Sequence, residues 1–473
     1  MTAVELAVYA LLLAVAAAAV WRRPLVALYL FVVGLALHNA AMAALYAAGV
    51  RGSTLTAITA WKEILLAVAL ARVIRDAVRE RRLPFRPGIV DWLALSFGLL
   101  ACVYALIPQS TLGGLANHHA VALALRHDVV PVGAYFLGRA LVIGRDDLRR
   151  IAWTLLGTAG FVAALGIVDV YAVPIGWWRT NGVVDYFHKH LGYDYHGTGG
   201  LPENFIYNVG GDKPFLRRLV STFLSPLASA YLMVVALLLA PRRRVAIPLA
   251  VVAFAGLLFT FSRSSLVALA VGLVALAALR RRPRDLVAAV VVIGVAIGWA
   301  HVFPKIAPTG HFTKKDLQFQ HSHAGSSSAN FSPTSANEPS LHEHWQALKD
   351  GVRTMVQHPQ GYGLGNVGQT ASRTKTPPKA GESNYTELGV ELGVLGALLW
   401  IAWGLAVFWG LVRAHAALVA AAFAAILALA VQTDVIGDPW VAYCVWGLAG
   451  AMLLKTRPEE RLAGSSVPAV PLS

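Results

Sequence analysis

RRLVSTFLSPLASAYLMVVALLLAPRRR, residues 217–244, decides the fold. Between its opening arginine pair and its closing arginine triplet, residues 219–240 carry no charge. At a rise of about 1.5 Å per residue, a helix of that length matches the ~30 Å hydrocarbon core of a bilayer. Working outward, similar apolar runs lie at 4–21, 24–48, 54–74, 89–107, 118–140, 150–171, 245–261, 264–280, 286–303, 386–411, 416–432 and 438–454. Of these, 118–140 is the least apolar, carrying His118, His119, Arg126 and Asp128. Of the 473 residues, 57% are hydrophobic and 14% charged, well below the roughly 25% charged of a soluble domain. The predicted class is all-α: a polytopic integral membrane helical bundle of about 12–13 transmembrane helices, with a large outer loop containing short helices.

The net charge of +15 is not spread evenly. Basic residues gather in short loops: Arg22 and Arg23, Arg72 to Arg86, Arg145 to Arg150, Arg242 to Arg244, and Arg280 to Arg284. Clusters between apolar runs follow the positive-inside rule and point toward the cytoplasm. No soluble basic domain exists to bind nucleic acid. The N-terminus, lacking a basic leader, reads as a first membrane helix rather than a signal peptide. Cys102 and Cys444 lie inside apolar runs and have no metal-ligand spacing.

This pattern divides the chain into membrane helices 1–171, a first outer loop 172–217, helices 218–303, a large outer loop 304–385, helices 386–455 and a cytoplasmic tail 456–473. In a bacterium the outer loops face the periplasm or exterior. The first is aromatic (WW, DYFHKHLGYDYHG) and includes Glu203 and Asp212. In the second, 322–338 is rich in Ser, Ala and Asn, a composition expected to stay unstructured. Residues 340–357 predict an amphipathic helix with Leu341, Trp345, Leu348 and Val352 on one face. Polar residues are expected to concentrate in these two loops. Lys62 and Glu63 are intramembrane charges that either pair with neighbouring helices or line a cavity.

Arg218 and Arg263 fall at the outer ends of apolar runs. A guanidinium in or near a bilayer is costly and marks a site, and its planar fork matches phosphate oxygens. The competing readings are snorkelling to the interface or a partner carboxylate.

Four phrases give these arginines a context: RRLVSTFLSPLASAYL (217–232), LLFTFSRSSLVALA (257–270), HPQGYGLGNVG (358–368) and ESNYTELGVELGVLGALLW (382–400). In order and spacing around one long loop, they resemble the O-antigen ligase and polymerase superfamily of bacterial membrane glycosyltransferases. The resemblance covers roughly 210–410; the first half matches only in hydropathy and in YFLGRAL (135–141).

The resemblance implies transfer of a glycan from an undecaprenyl-diphosphate donor to a hydroxyl on a glycan or lipid-glycan acceptor, at the outer face of the cytoplasmic membrane. It implies no cofactor and no metal. Arg218 and Arg263 would bind the donor diphosphate and stabilise it as it leaves. Relatives carry a histidine before the asparagine of the closing phrase; here Ser383 stands there, with Glu382 before it. Glu382 or His342 is then the expected catalytic base, with Ser383 and Asn384 as substrate-binding residues. The alternative for Glu382 is an ordinary pairing with Lys379. Lacking the histidine, the chain looks more like a polymerase than a ligase.

GYGLG (361–365) lacks the lysine and the strand–turn–helix setting of a phosphate loop and reads as a tight turn. The His-x-His pairs at 188–190, 321–323 and 342–344 read as solvated loop residues, since a zinc site needs three or four fixed ligands. The competing class is a lipid-linked sugar transporter or flippase, which would place charged or broken-helix sites near the bilayer midplane.

Overall fold

A computed structural model of the chain describes residues 3–209, 213–323 and 339–453. Asp212, nearly all of 322–338 and the 456–473 tail lie outside the described residues. The first part contains α1 (Ala3–Arg22), α2 (Leu25–Ala47), α3 (Gly52–Thr59), α4 (Trp61–Glu80), α5 (Ile89–Leu106), α6 (His118–Ala140) and α7 (Arg145–Ala172). The first long loop carries α8 (Ile175–Thr180) and α9 (Val183–Asp185), then strands β1 (Ile206–Tyr207) and β2 (Phe215–Arg217). Then come α10 (Pro226–Leu238), α11 (Ile247–Phe259), α12 (Arg263–Arg280) and α13 (Pro283–Ile306). The second long loop holds β3 (Thr309–Gly310), α14 (Lys314–His323), α15 (Pro339–Gln357) and α16 (Gly368–Thr374). The chain closes with α17 (Asn384–Arg413), α18 (Ala417–Leu429) and α19 (Trp446–Met452).

Among the described residues, eight helices are long and apolar enough to cross a membrane, and four shorter apolar helices accompany them. The architecture is an all-α polytopic bundle, and 118–140 forms one of its long helices. Its outer surface is that of a protein in lipid: Leu11, Leu12 and Val15 of α1 and Val287, Val290 and Val291 of α13 are exposed. Such a broad apolar surface has no place on a soluble monomer.

Inside, small residues set the approach of the helices. A Cβ on Gly138 of α6 would lie 2.0 Å from the Gly447 carbonyl of α19, so these backbones touch and no larger residue fits. Beside them Trp400, Trp403 and Trp446 fill the core, the rings of Trp403 and Trp446 stacked at 4.1 Å.

Several elements depart from the sequence reading. The run 54–74 is two helices, α3 and α4, separated at Ala60, and α4 continues to Glu80 through the basic stretch. The two long loops are joined by a small antiparallel sheet in the order β1-β2-β3, too short to leave a periodic signal.

The run 386–411 is interrupted. Within α17, Gly393 adopts φ 73° and ψ 179°, a conformation open essentially to glycine alone. The break exposes backbone groups that lipid would leave unsatisfied. The glycine-rich turn satisfies them: Tyr362 N donates to Val390 O, Gly363 N to Glu391 O, and Val394 N to Pro359 O. The GYGLG stretch is thus a tight turn, as its composition implies, but one docked against a broken helix.

The amphipathic helix appears as α15, with a different face against the protein. Gly351 and Met355 abut Thr386 and Gly389 of α17, while Trp345 and Val352 point outward, both exposed.

Candidate active site

At the end of the bundle that carries both long loops lies a cavity of about 580 Å³. Lys62 and Glu63 of α4, Arg126, His127 and Asp128 of α6, Glu387 and Glu391 of α17, and Asp434 and Asp438 before α19 all line it. The first long loop adds Tyr186, Phe187, Tyr193 and Tyr195, and α16 adds Gln369 and Arg373. Polar groups are therefore not confined to the loops; they also stand on helices that would cross the membrane.

Lys62 and Glu63 do both of the things the sequence left open. Lys62 is buried, donating to Thr59 O at 2.8 Å and lying 3.6 Å from Glu63. Glu63 in turn sits 3.7 Å from Arg126.

A hydrogen-bonded group on the wall is centred on His127. Its Nδ1 lies 2.8 Å from Asp128 Oδ1 and its Nε2 lies 3.0 Å from Asp434 Oδ2. Asp434 also accepts from Asn384 Nδ2 at 2.7 Å and from Gly437 N at 3.0 Å. Burial alone would raise the Asp434 carboxyl. The charge and hydrogen bond of His127, with the Gly437 N–H and the Asn384 amide, outweigh it and hold the group below its usual range.

The glycine-rich turn is held beside this group from two directions. Glu391 Oε1 accepts from Gly365 N at 2.8 Å and Val367 N at 3.3 Å. Asn366 Oδ1 accepts from Leu115 N at 2.7 Å and Ala116 N at 3.1 Å. Gly365 has φ 80°, and a Cβ there would strike Ala120 at 2.8 Å. These contacts fix the start of α6, and with it His127, against the start of α17.

The residues singled out from sequence fall in three places. Arg218 and Arg263 are brought together where β2 and the end of α11 meet the start of α12. Arg218 Nε donates to Thr260 O at 2.8 Å. Burial first, and then the nearby charge of Arg263, pull the Arg218 guanidinium down to about 10, so it is still charged at neutral pH. Its neighbour Arg217 is the buried one of the pair, 3.6 Å from Asp169.

Tyr231 connects the arginines to the cavity. It lines the cavity wall and is hydrogen-bonded with Thr433. It lies within electrostatic range of Arg218 on one side and of Asp434 and Asp438 on the other.

Ser383 and Asn384 are buried at the start of α17. Ser383 is its N-cap, accepting from Thr386 N at 3.1 Å. Asn384 clamps the 434–436 turn, donating to Asp434 and accepting from Val435 N and Ile436 N at 3.2 and 3.3 Å. Glu382 and His342 stand apart from the cavity wall. Glu382 is 2.7 Å from His344 Nδ1, while Lys379 lies over the Tyr362 ring. His342, exposed on α15, is 3.4 Å from Gln346.

His127, Asp128, Asp434, Glu387 and Glu391 are the functional candidates that the sequence reading passed over. Their signal was present: Arg-His-Asp inside the 118–140 run, two glutamates in the 386–411 run, and Asp434 between the last two runs. Ionisable residues in membrane helices mark sites whatever their sign.

Residues 248–401 match a family model described as O-antigen ligase. The match spans Arg263, His342, Glu382 to Asn384, Glu387 and Glu391, and leaves Arg218, His127 and Asp434 outside. It supports an O-antigen ligase or polymerase type of function, glycosyltransferase in kind, in a multi-pass membrane protein. A search of curated proteins finds no match to the chain.

Proposed function

We propose that this protein transfers a glycan from an undecaprenyl-diphosphate carrier to a hydroxyl of a glycan or lipid-glycan acceptor, at the outer face of the cytoplasmic membrane, without a metal. One observation carries the reading: two arginines share one corner of the bundle, separated by Tyr231 from a polar cavity large enough for sugar rings. Arg218 and Arg263 bind the donor diphosphate, and their fixed positive charge stabilises it as the bond to the anomeric carbon breaks. The acceptor enters the cavity, with its hydroxyl directed at the face of the sugar opposite the diphosphate. Because Glu382 and His342 lie away from the cavity wall, the acceptor proton goes instead to a group on that wall. Ser383 and Asn384 act by shaping the start of α17 rather than by touching substrate.

The test is reconstitution with a labelled undecaprenyl-diphosphate glycan, comparing the wild-type chain with Arg218→Ala, Arg263→Ala and Glu382→Gln. Loss of donor binding and of transfer in both arginine variants is expected, with Glu382→Gln close to wild type. Lengthened carrier-linked products identify a polymerase, and transfer to a separate acceptor identifies a ligase. Full activity in both arginine variants would sink the mechanism.

The broken helix α17 and the charges of α4 and α6 favour one second reading, a transporter of lipid-linked sugars. It requires labelled lipid to cross the vesicle bilayer without forming a new glycosidic bond. The same vesicles read that out.

A further inference from the structure

We infer that His127, bracketed by Asp128 and Asp434, is the centre that takes the proton from the acceptor hydroxyl. The inference rests on the transfer reading above and names the group that reading leaves open.

Geometry carries it. His127 projects from α6 into the cavity with 20% of its side chain exposed, while Asp128 behind it is fully buried. Both ring nitrogens are within hydrogen-bond distance of a carboxylate, at 2.8 and 3.0 Å. Asp434, the outer of the two, is held by the Asn384 amide and the Gly437 N–H. Tyr231 lines the same cavity and lies within electrostatic range of both Asp434 and Arg218. A transfer reaction needs a proton acceptor at the acceptor's hydroxyl and anion-binding groups at the donor's diphosphate. Ser383 offers no such base, since its hydroxyl is committed to capping α17.

Each nitrogen–carboxylate contact shares a proton, so the ring and the two carboxylates form one hydrogen-bonded unit. Groups so strongly coupled exchange protons as a unit rather than singly. As the acceptor oxygen bonds to the anomeric carbon, its proton passes to His127 Nε2, and the proton shared there shifts onto Asp434. The bond from that carbon to the carrier diphosphate breaks, and its electron pair leaves with the diphosphate onto Arg218 and Arg263. The unit, now holding a third proton, returns it to water through the cavity. Asp128 acts as a positioning residue, fixing the ring so that Nε2 meets Asp434.

The experiment uses the full chain in vesicles with the labelled carrier-diphosphate glycan. Donor binding and single-turnover transfer are measured separately for His127→Gln, His127→Ala and Asp128→Asn. Expected for His127→Gln is donor binding within about twofold of wild type and transfer slower by about 10²–10⁴, the usual reach of general acid–base catalysis. Asp128→Asn should slow transfer less and leave the donor KM unchanged. Free imidazole should restore transfer by His127→Ala at least tenfold, which a merely structural histidine would not permit.

Wild-type transfer rates in His127→Gln would overturn this inference alone. So would joint loss of donor binding and transfer in every His127 variant without imidazole rescue. Absence of transfer by the wild-type chain would remove the functional reading, and this inference with it. Arg218→Ala separates the two ideas, because it should abolish donor binding while the His127 variants keep it.

Discussion

Arg139 and Arg217 are buried, and their partners set them apart from the half-buried Arg218. Arg139 lies 2.8 Å from Asp91 and Arg217 lies 3.6 Å from Asp169, so each is neutralised within the fold. Among the described residues Arg218 has no carboxylate at ion-pair distance; its Nε donates to a backbone carbonyl, and the charge of Arg263 acts on it. The neighbouring guanidinium adds to the cost of desolvating Arg218, a cost that a bound anion would offset. In the Arg217–Arg218 pair the sequence points to Arg218 only through the family resemblance of its neighbouring phrase, since nothing in the composition separates the two. Arg218→Lys tests whether shape as well as charge matters. Lysine keeps the charge but loses the fork and the bond to Thr260 O, so transfer should fall by about 10–100-fold, with the loss appearing mainly in donor affinity. Transfer equal to wild type, measured with the labelled carrier glycan, would mean that charge alone suffices there.

At the scale of elements, the critical device is the interruption of α17, which lets the glycine-rich turn dock and sets Glu387 and Glu391 on the cavity wall. Gly393→Ala would put a Cβ 2.4 Å from the Pro359 carbonyl at a positive φ. It should destabilise the protein by about 1–3 kcal/mol from backbone strain alone, visible as a lower unfolding temperature in detergent and a larger loss of transfer. A second device joins the two long loops, where Asp316 of α14 accepts from Gly199 N at 3.0 Å and Thr313 N at 2.9 Å. Burial works to raise this carboxyl, but those N–H groups, the Thr313 hydroxyl and Arg179 hold it below its usual range. A depressed folded-state pKa contributes stability above the unfolded value, and that contribution fades as pH falls through the folded one. Protection of the amides around 197–200, taken relative to their intrinsic exchange rates, should therefore be high at neutral pH and fall in acid, below the ordinary carboxylate range, and in Asp316→Asn it should be low already at neutral pH. Uninterrupted helices were legible in the sequence because an apolar run of bilayer length has few other uses. The break at Gly393 was not, since a lone glycine in the apolar run 386–411 does not by itself end a helix and only contact with residues 359–363 selects the broken form. The same holds for the cavity: His127 and Asp434 stand 307 residues apart, and no local pattern announces their meeting.

Across the whole molecule, charge and cavity occupy opposite ends. Following the helices in order, the loops after α1, α4, α6, α10, α12 and α17 come to one end, and they carry Arg22 and Arg23, Arg79 to Arg82, Arg145, Arg242 to Arg244, Arg280 to Arg282 and Arg413. The long loops, the arginine pair and the cavity come to the other. An asymmetry of lysine and arginine in short loops orients a membrane protein with the basic end in the cytoplasm, and a transfer site for exported glycans belongs on the opposite side. The orientation and the function are therefore one linked claim. In a chain with Cys102 and Cys444 replaced by serine, a cysteine at Lys189 or Glu203 should react with an impermeant maleimide on intact cells or spheroplasts. A cysteine at Arg243 or Arg281 should react only after the membrane is opened. The reverse pattern would put the cavity in the cytoplasm, where a donor presented on the outer leaflet cannot reach Arg218 and Arg263, and the proposed reaction would have to be abandoned for one using a cytoplasmic donor.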